Sequence, residues 1–167
     1  KIASDGFSAV YSIAPTFEQA ILSAGHAANS AFWFNEANGK WATSTYYNDI
    51  PAYIDVANRE NSLSERIDTL SWRPLLPISY LTQDFLFKHV FSKYKQQKYS
   101  LFKRSGLINE EVTRMARTFI ENGGLGSHSL PDMLNVGYSA ANFQDKSIQE
   151  YSLEIQDTYV RLDRELG

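Results

Sequence analysis

Two short apolar runs, Ala9-Val-Tyr-Ser-Ile13 and Met133-Leu-Asn-Val-Gly-Tyr138, read as strands, and most of the chain lies between them. Pro15 closes the first and Pro131 precedes the second, as expected of a residue that donates no ladder hydrogen bond. A parallel pair needs a long crossover, and this spacing supplies one. The second run leads into a helical pattern over residues 147–166, with Ile148, Tyr151, Ile155, Tyr159, Leu162 and Leu166 on one face. The pattern predicts an α/β chain with 9–13 and 133–138 as parallel neighbours in one sheet. Residues 14–130 then form an excursion, and 131–167 the returning strand and its helix.

Within the excursion, residues 16–23 read as loop and a helical turn. Ala31-Phe-Trp-Phe34 and Trp41-Ala-Thr-Ser-Thr-Tyr-Tyr47 form a hairpin through Asn38-Gly39, a pair that tolerates the positive φ of a tight turn. A short helix begins at Ile50-Pro51 and ends near Asn58, and 63–70 reads as another with Ser62 or Ser64 as cap. Prolines forbid regular structure over 72–77. Residues 85–99 are aromatic-rich and poorly periodic, hence loop with helical turns. Val112, Met115, Ala116, Phe119 and Ile120 restore helical spacing, with Asn109 as cap and Gly123-Gly124 as stop. Met115 reads as core filler.

The chain of 167 residues, 43% hydrophobic and 14% aromatic, fits one compact unit with an ample core. Its net charge of -3 is dispersed, and the loose cationic stretch 88–104 is a solvated face, which argues against a nucleic-acid partner. No run approaches the roughly 18 apolar residues of a membrane span. The sequence neither begins with Met nor carries a signal-peptide pattern. With no Cys, the chain holds no disulfide and no thiolate zinc site.

The stretch Asp132-Met-Leu-Asn-Val-Gly-Tyr-Ser-Ala-Ala-Asn-Phe-Gln-Asp-Lys146, followed by Ser152-Leu-Glu-Ile-Gln-Asp-Thr-Tyr-Val-Arg-Leu-Asp163, resembles an alkaline-phosphatase-superfamily signature. In the PafA-like phosphatases and the type I phosphodiesterase and nucleotide pyrophosphatase proteins it resembles, a strand ends in Ser-Ser-Thr-Asp-Tyr-x-Gly-His. The Asp and His of that pattern bind one zinc of a two-zinc site. Ala20-Ile-Leu-Ser-Ala-Gly-His-Ala-Ala-Asn-Ser-Ala-Phe-Trp-Phe34 and Gly39-Lys-Trp-Ala-Thr-Ser-Thr-Tyr-Tyr47 resemble the PafA-like cap region. The resemblance implies a partial alkaline-phosphatase-like parallel sheet with helices and an inserted cap containing a β-hairpin. Residues 1–167 are then one internal fragment, with 14–130 cap-like.

Carried over residue by residue, the family's phosphate-contacting Lys and Arg fall on Thr16 and Glu18, and its zinc-binding Asp and His on Asn142 and Lys146. Thr16 supplies no charge and Glu18 repels phosphate. Asn142 offers a neutral carbonyl. At about 4 Å and an effective dielectric of about 20, each like-charge pair costs about 4 kcal/mol, which sets Lys146 against a dication. A one-turn slip would bring Asp145 forward instead. His26 reads as a structural hydrogen-bonding residue, and His89 and His128 as solvated or packed. Gly123-Gly-Leu-Gly126 follows a helix and is a stop, whereas a phosphate loop precedes one. No Walker loop, Gly-x-Ser-x-Gly elbow or His-x-x-x-His spacing is present.

The resemblance thus implies a phosphohydrolase scaffold with its catalytic residues replaced and a binding or structural role, for a phosphorylated ligand or a protein partner. Zinc is expected of active members and no cofactor of this chain. The alternative is part of an active metal-dependent phosphomonoesterase or phosphodiesterase whose other catalytic residues lie outside the sequence. The implied setting is exported, periplasmic or cell envelope, with homodimerisation through a sheet edge or the terminal helix.

Overall fold

A computed structural model describes residues 6, 9–47, 49–60, 62–76, 86–145 and 147–167, with the side chains of 148–152 outside that set. The first apolar run forms β1 (Val10–Ala14) and the last forms β6 (Met133–Val136). They pair in parallel with Val10 opposite Met133 and Ile13 opposite Val136. Backbone bonds from Met133 to Ala9 and from Gly137 to Ile13, each 2.8 Å, extend the ladder at both ends.

Between them, α1 (Phe17–Ala24) is a full helix where a loop with one turn was expected, because Thr16 caps it by accepting from the Gln19 N–H at 3.3 Å. It carries the chain to β2 (Ser30–Asn35), which lies parallel to β1. Then β3 (Lys40–Ala42) turns back against β2, with Phe34 opposite Trp41. The Gly39 N–H closes the turn on Asn35 O at 2.8 Å, with Gly39 at φ 71°. The sheet runs β3-β2-β1-β6. The hairpin expected inside an inserted cap is therefore part of the main sheet, since α1 alone provides the crossover from β1 to β2. Its second strand stops at Ala42, and 44–47 is a turn.

Side-chain alternation along the strands separates two faces. On one, Ile13 and Phe32 pack with Val112, Met115 and Phe119 of α5 (Leu107–Asn122) and with Ile54 of α2 (Ala52–Arg59). On the other, Ala14 and Ala31 admit Ala20 of α1 at close range. The helix expected from Asn109 starts at Leu107, and Asn109 is a fully buried interior residue, not its cap.

The middle of the chain builds a second core of Trp72, Phe91, Phe102, Ile108 and Phe143. Helix α3 (Leu63–Arg66) continues into a 3-10 turn over Ile67–Thr69; Ser62 makes no side-chain cap bond and instead meets the Ser64 hydroxyl at 2.7 Å. Residues 73–76 are irregular, as the prolines predict, but β4 (Ser71–Trp72) just before them pairs antiparallel with β5 (His89–Val90) in a segment expected to be loop with helical turns, Trp72 opposite His89. A 3-10 segment over Phe91–Gln97, broken at Lys95, leads into α4 (Lys98–Lys103). The chain closes with α6 (Ile148–Leu166), which packs on α5.

Candidate functional site

Ligands of parallel α/β sheets collect where loops leave the carboxyl ends of the strands. Here β1 and β6 are neighbours in parallel register, so the loops carrying Thr16 and Glu18, and Asn142, depart from the same sheet edge. The topology thus puts the start of α1 and the loop after β6 at the same end of the sheet. Their chemistry is another matter. The Thr16 hydroxyl serves as the α1 cap, Glu18 is exposed in the first turn of that helix, and Asn142 is half-buried. Lys146 lies outside the described residues.

The loop after β6 is held firmly. A Cβ on Gly137 would stand 3.0 Å from that of Ala14, so glycine permits the close approach of β6 to β1. Gln19 Nε2 donates to Tyr138 O at 3.1 Å, tying α1 to the loop. The buried Asn109 amide grips Ser139 twice, donating to its carbonyl at 2.8 Å and accepting its N–H at 2.9 Å. Phe143 is fully buried, its ring centroid 4.1 Å from that of His89. Asp145, at φ 55°, forms a forked ion pair with Arg104, one arm 3.0 Å, and this guanidinium holds its carboxyl below the usual range. Asp145 is therefore committed to an ion pair and not offered as a metal ligand.

The donor set does not fit a two-zinc centre. It offers a capping hydroxyl, an exposed carboxylate with no imidazole companion, and a neutral amide, whereas zinc takes deprotonated carboxylates and imidazoles. Among the described residues no three His, Asp or Glu side chains gather closely enough to hold an ion. The three His lie apart. His26 Nδ1 meets the Tyr46 hydroxyl at 3.3 Å, and His128 sits on Asp132 at 2.8 Å. That contact, with the Gly126 N–H, keeps the Asp132 carboxyl below its ordinary range.

The long match on α6 proves to be a clamp. Asp157 accepts from Trp72 Nε1 at 2.6 Å, from the Leu75 N–H at 2.6 Å and from Arg161 Nε at 2.7 Å. Arg161 also reaches Glu110 at 2.5 Å and the Arg73 carbonyl at 3.0 Å. Glu154 faces His89 Nε2 at 3.2 Å, and the Tyr94 hydroxyl meets His89 Nδ1 at 3.0 Å. The Asp157–Arg161 pair, four residues apart on α6, is largely buried. Sequence spacing placed these side chains on one helix; their partners on other elements, 51 to 88 residues away in the chain, gave no local signal.

No family model matches the chain. A protein of Myroides odoratus named calcium-transporting ATPase is 33% identical across the whole chain. An alkaline phosphatase, PafA, of Elizabethkingia meningoseptica is 28% identical over 88% of it, and the alkaline phosphatase PhoV of Synechococcus elongatus 27% identical over 99%. The chain spans about a third of the length of these relatives, 34%, 30% and 33% respectively. Together with the mixed parallel sheet and its helices, the two phosphatase matches support an alkaline-phosphatase-like superfamily as the home of this sequence.

Proposed function

We propose that the chain is an internal segment of an alkaline-phosphatase-superfamily protein of the PafA-like or nucleotide pyrophosphatase kind that keeps the scaffold and has lost hydrolysis. The observation that carries this reading is the pairing of a well-built sheet edge with unsuitable groups on it. The Thr16 hydroxyl is spent as a helix cap, an anion stands at Glu18, and Asn142 replaces a carboxylate on a loop pinned by Asn109. A phosphate would meet repulsion at Glu18, and a dication would find no charged ligand at Asn142. The role that remains is binding, of a phosphorylated ligand or a protein partner, or purely structural. Residues 14–130 beyond the hairpin act as the cap-like element, and the setting is the periplasm or cell envelope.

The second reading, part of an active metal-dependent phosphomonoesterase or phosphodiesterase, rests on the relatives being about three times longer than this chain, with room for further catalytic residues. Dialysis against zinc followed by metal analysis, with assays on 4-nitrophenyl phosphate and bis(4-nitrophenyl) phosphate, separates the cases. The expected result is no stoichiometric zinc and no turnover. Turnover that a chelator abolishes would overturn the proposal, and the same assays on the longer protein would test the second reading.

A further inference from the structure

Helix α1 exposes two large apolar side chains beside Glu18, Gln19 and Ser23 on its outer side. Leu22 is 84% exposed and Phe17 49%, although the outward side of a short surface helix is ordinarily polar. Beside them the turn 44–47 stands as a wall. It is fixed by the Tyr46 N–H on Ser44 Oγ and the Tyr47 N–H on Ser44 O, both 3.1 Å, and by the Tyr47 hydroxyl donating to Gly25 O at 3.0 Å. The Tyr46 and Tyr47 rings meet edge to face, 5.1 Å apart at 87°, and Tyr46 remains 64% exposed. The cleft so enclosed measures about 380 Å³ and its lining carries no carboxylate, Lys or Arg.

One polar group in this cleft has unused capacity. Tyr46 Oη lies 3.4 Å from the His26 carbonyl and 3.3 Å from His26 Nδ1. Assigning the hydroxyl's single proton to the carbonyl puts the hydrogen of the second contact on Nδ1. Nε2 of the neutral ring is then an acceptor with no partner among the described residues. The volume falls at the lower end of small-molecule pockets. Edge-to-face aromatic walls favour a ring as occupant.

We propose that the cleft between α1 and the turn 44–47 binds a small, uncharged aromatic ring bearing one hydrogen-bond donor, a phenol in its simplest form. The ring lies against Tyr46, Phe17 and Leu22, and its donor meets His26 Nε2. This site is independent of the sheet edge discussed above and does not rest on the reading of that edge.

The test is an NMR titration of the chain with phenol, with anisole, which has the ring but no donor, and with cyclohexanol, which has the donor but no aromatic ring. Phenol is expected to give saturable shifts at residues 21, 22 and 46, and each control to bind about fivefold more weakly, the worth of one hydrogen bond or ring contact. His26→Phe is expected to erase the preference for phenol over anisole, and Tyr46→Ala to abolish saturation. Both side chains are exposed, so thermal melts of the variants should match the parent. Equal binding of phenol and anisole, absence of saturation, or saturation that survives Tyr46→Ala would overturn the proposal. So would shifts at these residues that grow with protein concentration without ligand, which would assign the cleft to a second copy of the chain.

Discussion

Asp157 is a carboxylate with only 4% of its side chain exposed, set among an indole N–H, a backbone N–H and a guanidinium. Removing it strands the indole and backbone donors, while Arg161 keeps Glu110 and the Arg73 carbonyl. Asp157→Ala is expected to cost about 2–6 kcal/mol, read as a fall in the urea midpoint, because two buried donors lose their acceptor at about 1–3 kcal/mol each. Asp157→Asn keeps an acceptor and should cost less. Tyr53 contributes to the alkaline limit, alongside Tyr11, Tyr47 and Tyr94, whose hydroxyls are also raised by burial. Burial first, and the neighbouring Tyr11 second, push the Tyr53 hydroxyl up to about 12 from 10. A raised folded value means that stability is intact below pH 10 and falls as pH climbs from 10 toward 12. Tyr53→Phe should remove that part of the alkaline loss in melts taken across this window. At this scale the sequence was half legible: the residue types of the α6 pattern stood out, but their roles depended on Trp72 and His89, which no spacing linked to them.

Among the elements, the loop after β6 depends most on a single side chain. Asn109 looked like a cap because Asn commonly is one, yet α5 starts two residues earlier and its amide is turned to Ser139. Asn109→Ala leaves a backbone donor and a backbone acceptor unpaired, at about 1–3 kcal/mol each where water is excluded. The expected outcome is faster hydrogen exchange at the Ser139 amide than in the parent, with β1 amides less affected. Long periodic elements such as α5 and α6 were readable because apolar spacing alone defines them. Strands of two residues such as β4 and β5 were not, since Ser71-Trp72 and His89-Val90 acquire strand geometry only by pairing with each other.

For the whole molecule, the parallel union of β1 and β6 follows the sequence reading, while the hairpin's place in the sheet does not, because hairpin signals say nothing about which strand lies alongside. Among the described residues β6 has no partner on its outer side, and all four of its residues are half-exposed. On the apolar face of α6, Ile155 and Leu162, expected at an interface, are half-buried, and Ile148 and Tyr151, expected there too, lie outside the described side chains; Tyr159 on the same face is 58% exposed. Open edges template pairing with another chain. The isolated chain is expected to form a dimer through β6 or α6; a monomer mass by light scattering at high concentration would show that it is self-sufficient.

The β1–β6 ladder also sets a schedule for synthesis. The β1-α1-β2 unit is complete early, but the other side of β1 waits until Met133 to Val136 has been made. At typical elongation rates that wait is on the order of ten seconds, during which a central, apolar strand offers an unfilled edge inside the cell. The yield of a nascent chain of this design should therefore respond to the speed of translation between the two strands.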